Sequence, residues 1–247
     1  MRRNARTEKV VTQFSIVDAL VAGLFDGVFA VGQVAASGDL GLGCGDHMDG
    51  ELVVLDGRFR LFHGDGTMTE LAPDETLAFA EVVHFVPDST ELLETVPSLE
   101  ALVGGIRERV VSENLFHAVR FDAHFGSVSL REARRQSKPY LPLASAVHDQ
   151  RENTVTDVTG TVLGFVAPGF FQGISVAGPH FHFIDESGQA GGHLLGLSDA
   201  TGRLALESYS GVTVRLPSSA DYLAADLDLA GNDADAAIRH AESDHQR

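Results

Sequence analysis

From residue 153 to residue 217 the sequence is almost entirely strand and turn: "TVTDVTGTVLGFVAP", then "GPHFHFIDESGQAGGHLLG", then "ATGRLALESYSGVTVRLP". Short runs of β-branched and aromatic residues, separated by glycine-bearing turns, commit this part of the chain to sheet. The middle stretch also sets a register. Ser187-Gly188 is a competent two-residue hairpin loop. Glu186 then opposes Gln189 and, counting outward, His182 opposes His193. His180 lies two positions from His182 and projects to the same face. Directly opposed residues sit roughly 4.5–5.5 Å apart at Cβ. The three imidazoles therefore converge on one point, the geometry of a three-histidine metal site with positions open to a ligand. A bulge at Gly191-Gly192 would slip the register and turn His193 to the other face. Taken alone, an H-x-H pair reads as surface or hydrogen-bonded strand histidines.

Upstream the pattern is mixed. "SIVDALVAGLFDG", residues 15–27, has apolar residues at 16, 17, 20, 21 and 24 and ends in glycine, which predicts a helix. "VFAVGQVAAS" and "ELVVLDGRFRLFHGDGTMTEL" predict strands, with Asp56-Gly57 as a hairpin turn. "SLEALVGGIRERV" places Leu99, Leu102, Val103, Ile106 and Val110 on one helical face. "NLFHAVRFDAHFGSVSLREARR" reads as two strands. Residues 138–150, with two prolines and no clear period, read as a segment crossing between halves, and "DADAAIRHAES" as a last short helix. The expected class is α+β (mixed α/β), two sheet-based domains with few helices and a metal site near their interface. Residues 1–137 would form an N-terminal α/β domain, and residues 138–247 a mainly β domain carrying the histidine hairpin. Few, clustered helices disfavour a doubly wound parallel sheet.

Composition narrows the function. With 247 residues, 44% of them hydrophobic, the chain can bury a sizeable core and is too apolar for disorder. No stretch approaches the roughly 20 apolar residues of a membrane span. "MRRNARTEKVVTQFS" lacks the apolar centre of a secretory signal, so a cytoplasmic protein without a membrane partner is expected. One cysteine excludes an intramolecular disulfide and a thiolate-rich metal site. A net charge of −17 argues against a nucleic-acid partner, since basic residues cluster only in "REARRQSKP". Acid concentrated in residues 221–244 reads as a solubility element. No P-loop, dinucleotide fingerprint or G-x-S-x-G elbow is found.

Five further stretches occur in order: "QFSIVDALVAGLFDG", "GDLGLGCGDHMDGELVVLDGRF", "RRQSKPYLPL", "GTVLGFVAPGFFQGISVAGPHFHFID" and "GGHLLGL". Together they resemble the alpha-acetolactate decarboxylase family over nearly the whole chain. The resemblance implies decarboxylation of 2-acetolactate to acetoin and CO2 in acetoin and butanediol biosynthesis. It implies Zn2+ and no organic cofactor, on a two-domain fold that commonly forms a homodimer. His180, His182 and His193 match the family's zinc-binding histidines, Glu51 an active-site glutamate and Arg131 the catalytic arginine. A glutamate near the C-terminus also reaches the site in the family; Glu242 is the best match, with Glu207 as competitor. Cys44 stands where the family often has threonine.

The residues suit that chemistry. The planar fork of Arg131 matches both oxygens of a substrate carboxylate; without the resemblance it reads as a surface charge beside Arg134 and Arg135. Glu51 lies between apolar residues on a predicted strand, where an inward carboxylate is costly without a partner such as a metal. Its ordinary reading is a strand-end surface charge. A carboxyl group beside the metal would deliver the proton to the carbon that loses CO2, and the choice between Glu51 and Glu242 stays open. His47, His63, His84, His117, His124 and His148 show no convergence and read as structural or exposed; Asp39 and Asp46 read as turn residues. Two rivals remain: a cupin-like three-histidine iron oxygenase, and a non-catalytic, metal-dependent small-molecule binding module. Metal analysis and oxygen dependence separate the first, and the second needs no proton donor.

Overall fold

The computed structural model of the chain describes residues 9–146 and 150–227. Two sheets dominate, and helices are few and short. The first sheet contains β1 (Val10–Phe14), β2 (Phe29–Ala30), β3 (Leu40–Gly45), β4 (Glu51–Leu55), β5 (Arg58–Phe62), β6 (Met68–Glu70) and β7 (Thr76–Val83). The second contains β8 (Ser89–Ser98), β9 (Phe116–Ala133), β10 (Gln150–Ala167), β11 (Gly178–Asp185) and β12 (Gly191–Tyr209). A last strand, β13 (Gly211–Arg215), returns to the first sheet and pairs parallel to β1. The first sheet runs β13-β1-β7-β3-β4-β5-β6, with β2 also on β7. The second runs β11-β10-β9-β12-β8, and β11 also pairs with β12, so four strands close a circuit. The helices are α1 (Val17–Val21), α2 (Val31–Ala35), α3 (Leu99–Arg109), α4 (Leu143–Ala146) and α5 (Ala220–Ala224). No helix among the described residues is long and apolar enough to cross a membrane.

Local chemistry explains the clearest elements. Leu55 opposes Arg58 across Asp56-Gly57, whose φ values of 52° and 74° are those a tight two-residue hairpin demands. Ser98 caps α3 by accepting from the Ala101 N–H, and the helix buries Leu102 and Ile106. Phe125 packs edge-to-face on both Phe121 and Phe183 within the second sheet. Leu42, Val53 and Phe79 of the first sheet share a core with Leu163, Phe165 and Ile184 of the second. That shared core fixes the two sheets against each other next to the histidines.

Three expectations are corrected. Of residues 28–37, expected as a strand, only Phe29 and Ala30 pair; the next five form α2, because Val31 and Val34 bury on one helical face. Residues 114–135, expected as two strands, contain one strand of 18 residues. Gly126 lies between Asp157 and Asp199 on the flanking strands, and a Cβ there would sit 3.0 Å from that of Asp199. It marks a close approach and not a turn. Residues 138–150 do not carry the chain between halves, since β9 and β10 pair with each other in one sheet. The segment's described part, residues 138–146, lies against the rest of the first half, where Lys138 meets Asp26 and Leu143 enters the shared core. Sheet membership changes between β7 and β8 and again between β12 and β13. The helix expected in "DADAAIRHAES" lies outside the described residues.

Candidate functional site

The histidine hairpin has the expected register and a different loop. His182 opposes His193, Phe183 opposes Gly192 and Ile184 opposes Gly191. The turn is closed further out: Asp185 N–H donates to the Ala190 carbonyl, while its carboxylate accepts from the Gln189 and Ala190 N–H groups at 2.8 Å each. Gly191-Gly192 stays in register, and the irregularity falls on the β9 side, between Leu194 and Gly196. Close approach explains both glycines. A Cβ on Gly191 would lie 2.6 Å from the Phe62 ring, and one on Gly192, at φ 152°, 2.6 Å from the Arg131 carbonyl.

The three imidazoles form a nearly equilateral triangle, with centroids 5.4, 5.2 and 5.4 Å apart. One ligand nitrogen from each lies within 4.8 Å of the others. All three rings are buried. His182 Nδ1 is 2.8 Å from the Leu52 carbonyl, which only accepts, so Nδ1 carries the proton and Nε2 presents a lone pair. Burial, helped by the Arg131 guanidinium, pushes His180 down to about 3, so this ring is neutral, as a metal ligand must be.

Glu51 and Arg131 come from different sheets to the same place. Glu51, 7% exposed, opens β4 opposite Cys44, and its Oε2 is 3.5 Å from His182 Nε2. Arg131, 6% exposed, lies on β9 opposite His193, so it is not part of the basic surface. Arg135 is, and meets Asp46 and Asp49 there. Cys44, Glu51, Arg131 and His180 line one cavity of about 40 Å³, walled by Val17, Leu20, Phe79 and Val176 among others. That is room for a water or two. A larger cleft of about 920 Å³, between α3 and β9–β12, touches His193 but neither Glu51 nor Arg131. Glu51, Arg131 and His180 converge on the smaller one.

Glu207 is engaged elsewhere, accepting from Val86 N–H and the Tyr209 hydroxyl and meeting Lys9 at 3.0 Å. Glu242 lies outside the described residues, as does His148. His117 is buried between Ser208 and the Ser112 carbonyl, while His84 and His124 are exposed. Two features escape the sequence reading. Asp26, Asp46 and His47 bring ligand atoms within 4.8 Å, but the Lys138 ammonium already sits 2.5 Å from Asp26. Glu81 is a fully buried acid on β7. Its signal was present: one charge inside the apolar run "LAFAEVV".

Fold and site together define a sheet-built enzyme with a three-histidine group that could hold a metal ion. A profile of the family described as alpha-acetolactate decarboxylase matches residues 11–229. An alpha-acetolactate decarboxylase of Methanosarcina mazei is 39% identical over 218 residues, covering 88% of this chain and 76% of its own. One from Bacillus subtilis is 35% identical over 220 residues, 88% of this chain and 86% of that one. The crystal structure of the alpha-acetolactate decarboxylase from Bacillus subtilis strain 168 superposes with a TM-score of 0.91 at 33% identity, covering 95% of this chain and 99% of that one. The chain belongs to the alpha-acetolactate decarboxylase family.

Proposed function

We propose that the protein is a zinc-dependent enzyme converting 2-acetolactate to acetoin and CO2 in acetoin and butanediol biosynthesis, with Glu51, Arg131 and Glu242 as its catalytic side chains. One observation carries the reading: three buried histidines stand at metal-binding distance from one another, and one of them, His180, lines a small cavity with a buried carboxylate and a buried guanidinium from the two sheets. The donor set suits zinc, which takes three neutral imidazoles and keeps a position open. His180 is held neutral by burial and His182 is oriented by the Leu52 carbonyl. Zinc held by His180, His182 and His193 supplies, when bound, a Lewis acid that stabilises negative charge developing on the substrate.

The protein's own groups do the rest. The Arg131 fork binds both oxygens of the substrate carboxylate, and its burial strengthens that contact. The carboxylate leaves as neutral CO2, which the guanidinium does not hold. The bond to the departing carbon breaks, and its electron pair stays on the carbon left behind. The Glu51 carboxyl group gives that carbon a proton and is recharged from water. Val17, Leu20 and Val176 keep bulk water from the cavity.

The direct test is to incubate purified protein with racemic 2-acetolactate, with and without a chelator, and follow acetoin. Acetoin should form above the spontaneous rate, stop with chelator and return with zinc; no enzymatic acetoin ends the reading. Elemental analysis should give about one zinc per chain. Iron with oxygen-dependent turnover would point to the other three-histidine chemistry, and binding without turnover to a binding module. A homodimer in the cytoplasm belongs to the same reading, and sedimentation and cell fractionation check it.

Arg131→Lys keeps the charge and loses the fork. Turnover should fall about tenfold or more, roughly 1.4 kcal/mol, with zinc content unchanged. Near-normal kinetics would remove Arg131 from substrate binding. For Glu242, truncation after Asn232 should leave a folded, zinc-containing protein with lower activity or poorer enantiomeric purity of acetoin, and Glu242→Gln should reproduce part of that loss. A truncated protein working at the parent rate and selectivity would make the tail a solubility element only.

A further inference from the structure

Glu81 sits at the centre of the first sheet, opposite Gln13 on β1 and Leu42 on β3, and is 1% exposed. Its Oε2 accepts from the Ser175 hydroxyl at 2.9 Å, and its Oε1 has no hydrogen-bond partner among the described residues. Burial pushes its carboxyl group up to about 7, and only Ser175 pulls the other way. Among the described residues no cation pairs with it. A leucine would fill the same core position without the desolvation cost, so packing gives no reason for an acid there.

What the acid holds is a wall of the catalytic cavity. Gln13, also 1% exposed, donates to the Ile174 carbonyl at 2.5 Å and the Ser15 carbonyl at 2.9 Å. From the other side, Val17 N–H donates to the Ile174 carbonyl and Asp18 N–H to the Gly173 carbonyl. Residues 173–175 are thus tied to β7, β1 and α1 at once. The next residue, Val176, lines the cavity beside Arg131 and His180, as does Phe79, two positions before Glu81 on the same strand. Four residues beyond Val176 comes His180 itself.

We propose that Glu81 is a positioning residue for the reaction: through Ser175 it fixes the segment 173–177, and with it Val176, against the small cavity that Arg131 and His180 line, where the substrate's carboxylate would enter. This rests on the decarboxylase reading above. Glu81 touches no reacting atom. It sets the shape of an apolar wall of the cavity that the Arg131 guanidinium also lines.

The test separates positioning from mere folding. Glu81→Leu removes the tether and a buried acid together, so its thermal stability should equal or exceed the parent's. Ser175→Ala removes the hydroxyl alone, and Glu81→Gln keeps an acceptor for it. In full-length protein with bound zinc, Glu81→Leu and Ser175→Ala should each speed amide exchange across 173–177 about tenfold and raise KM for 2-acetolactate about tenfold, with kcat less affected. Glu81→Gln should stay within about twofold of the parent in both, and the double variant Glu81→Leu/Ser175→Ala should be no worse than the poorer single one. Unchanged exchange in Glu81→Leu and Ser175→Ala overturns the tether. Faster exchange with unchanged KM overturns the positioning role. A parent that makes no acetoin defeats the decarboxylase reading instead, a result visible before any variant is compared. If Glu81→Leu does not fold, Ser175→Ala decides alone.

Discussion

His182→Ala should abolish zinc binding and, with it, decarboxylation, by a factor on the order of a thousand or more. Of the three rings His182 is the least replaceable. It is 1% exposed, its Nδ1 is fixed by the Leu52 carbonyl, and its Nε2 points toward Glu51. Truncation removes one of three ligands, and His180 and His193 alone leave zinc without its usual third protein donor. It also leaves the Leu52 carbonyl buried and without that donor, which costs about 1–3 kcal/mol, so a thermal melt must show that the variant is folded when it is assayed. Elemental analysis after purification without added metal decides the matter. Full zinc occupancy in a folded His182→Ala protein would show that the ion is held elsewhere.

Glu51→Gln should lower turnover about 10²–10⁴-fold while zinc occupancy stays within error of the parent. The substitution preserves volume and most hydrogen-bonding capacity, so the place opposite Cys44 and beside His182 is kept. Only the ability to give up a proton is lost. Solvent-isotope incorporation into acetoin by the residual activity would report how far the proton then comes from water without the enzyme's steering. Turnover within a factor of two of the parent would take the proton donor away from Glu51 and leave Glu242 as the candidate.

The hairpin register was legible because the period of a strand is two and Ser187-Gly188 sits where a turn belongs; both are local facts. The loop itself was not, since the Asp185 carboxylate caps the Gln189 and Ala190 N–H groups across the turn and closes it one pair earlier. Arg131 shows the limit from the other side. Its neighbours Arg134 and Arg135 make it look like one of a surface group, and reading residues 114–135 as two strands shortens the strand that buries it. Only the pairing of β9 with both β10 and β12 puts the guanidinium inside, and those contacts join residues far apart in sequence. Glu51 was readable as costly but not as placed, because the sheet that faces it is built from strands much later in the sequence, between residues 89 and 209. The partition between sheets was illegible for the same reason: β8 and β9 carry no mark saying which strands they will pair with.

The parallel pairing of β13 with β1 has a consequence in time. β1 and its edge partner β13 are the first and last strands among the described residues, with every other described strand between them in sequence. Until β13 arrives, one flank of the first sheet exposes unpaired backbone, and the whole second sheet must fold as an insertion between two strands that have not yet met. Such long-range closure is slow because the entropy of the intervening chain is lost before the contact rewards it. Early condensation of the second sheet shortens that closure, because it brings β13 close to a neighbour already held in place.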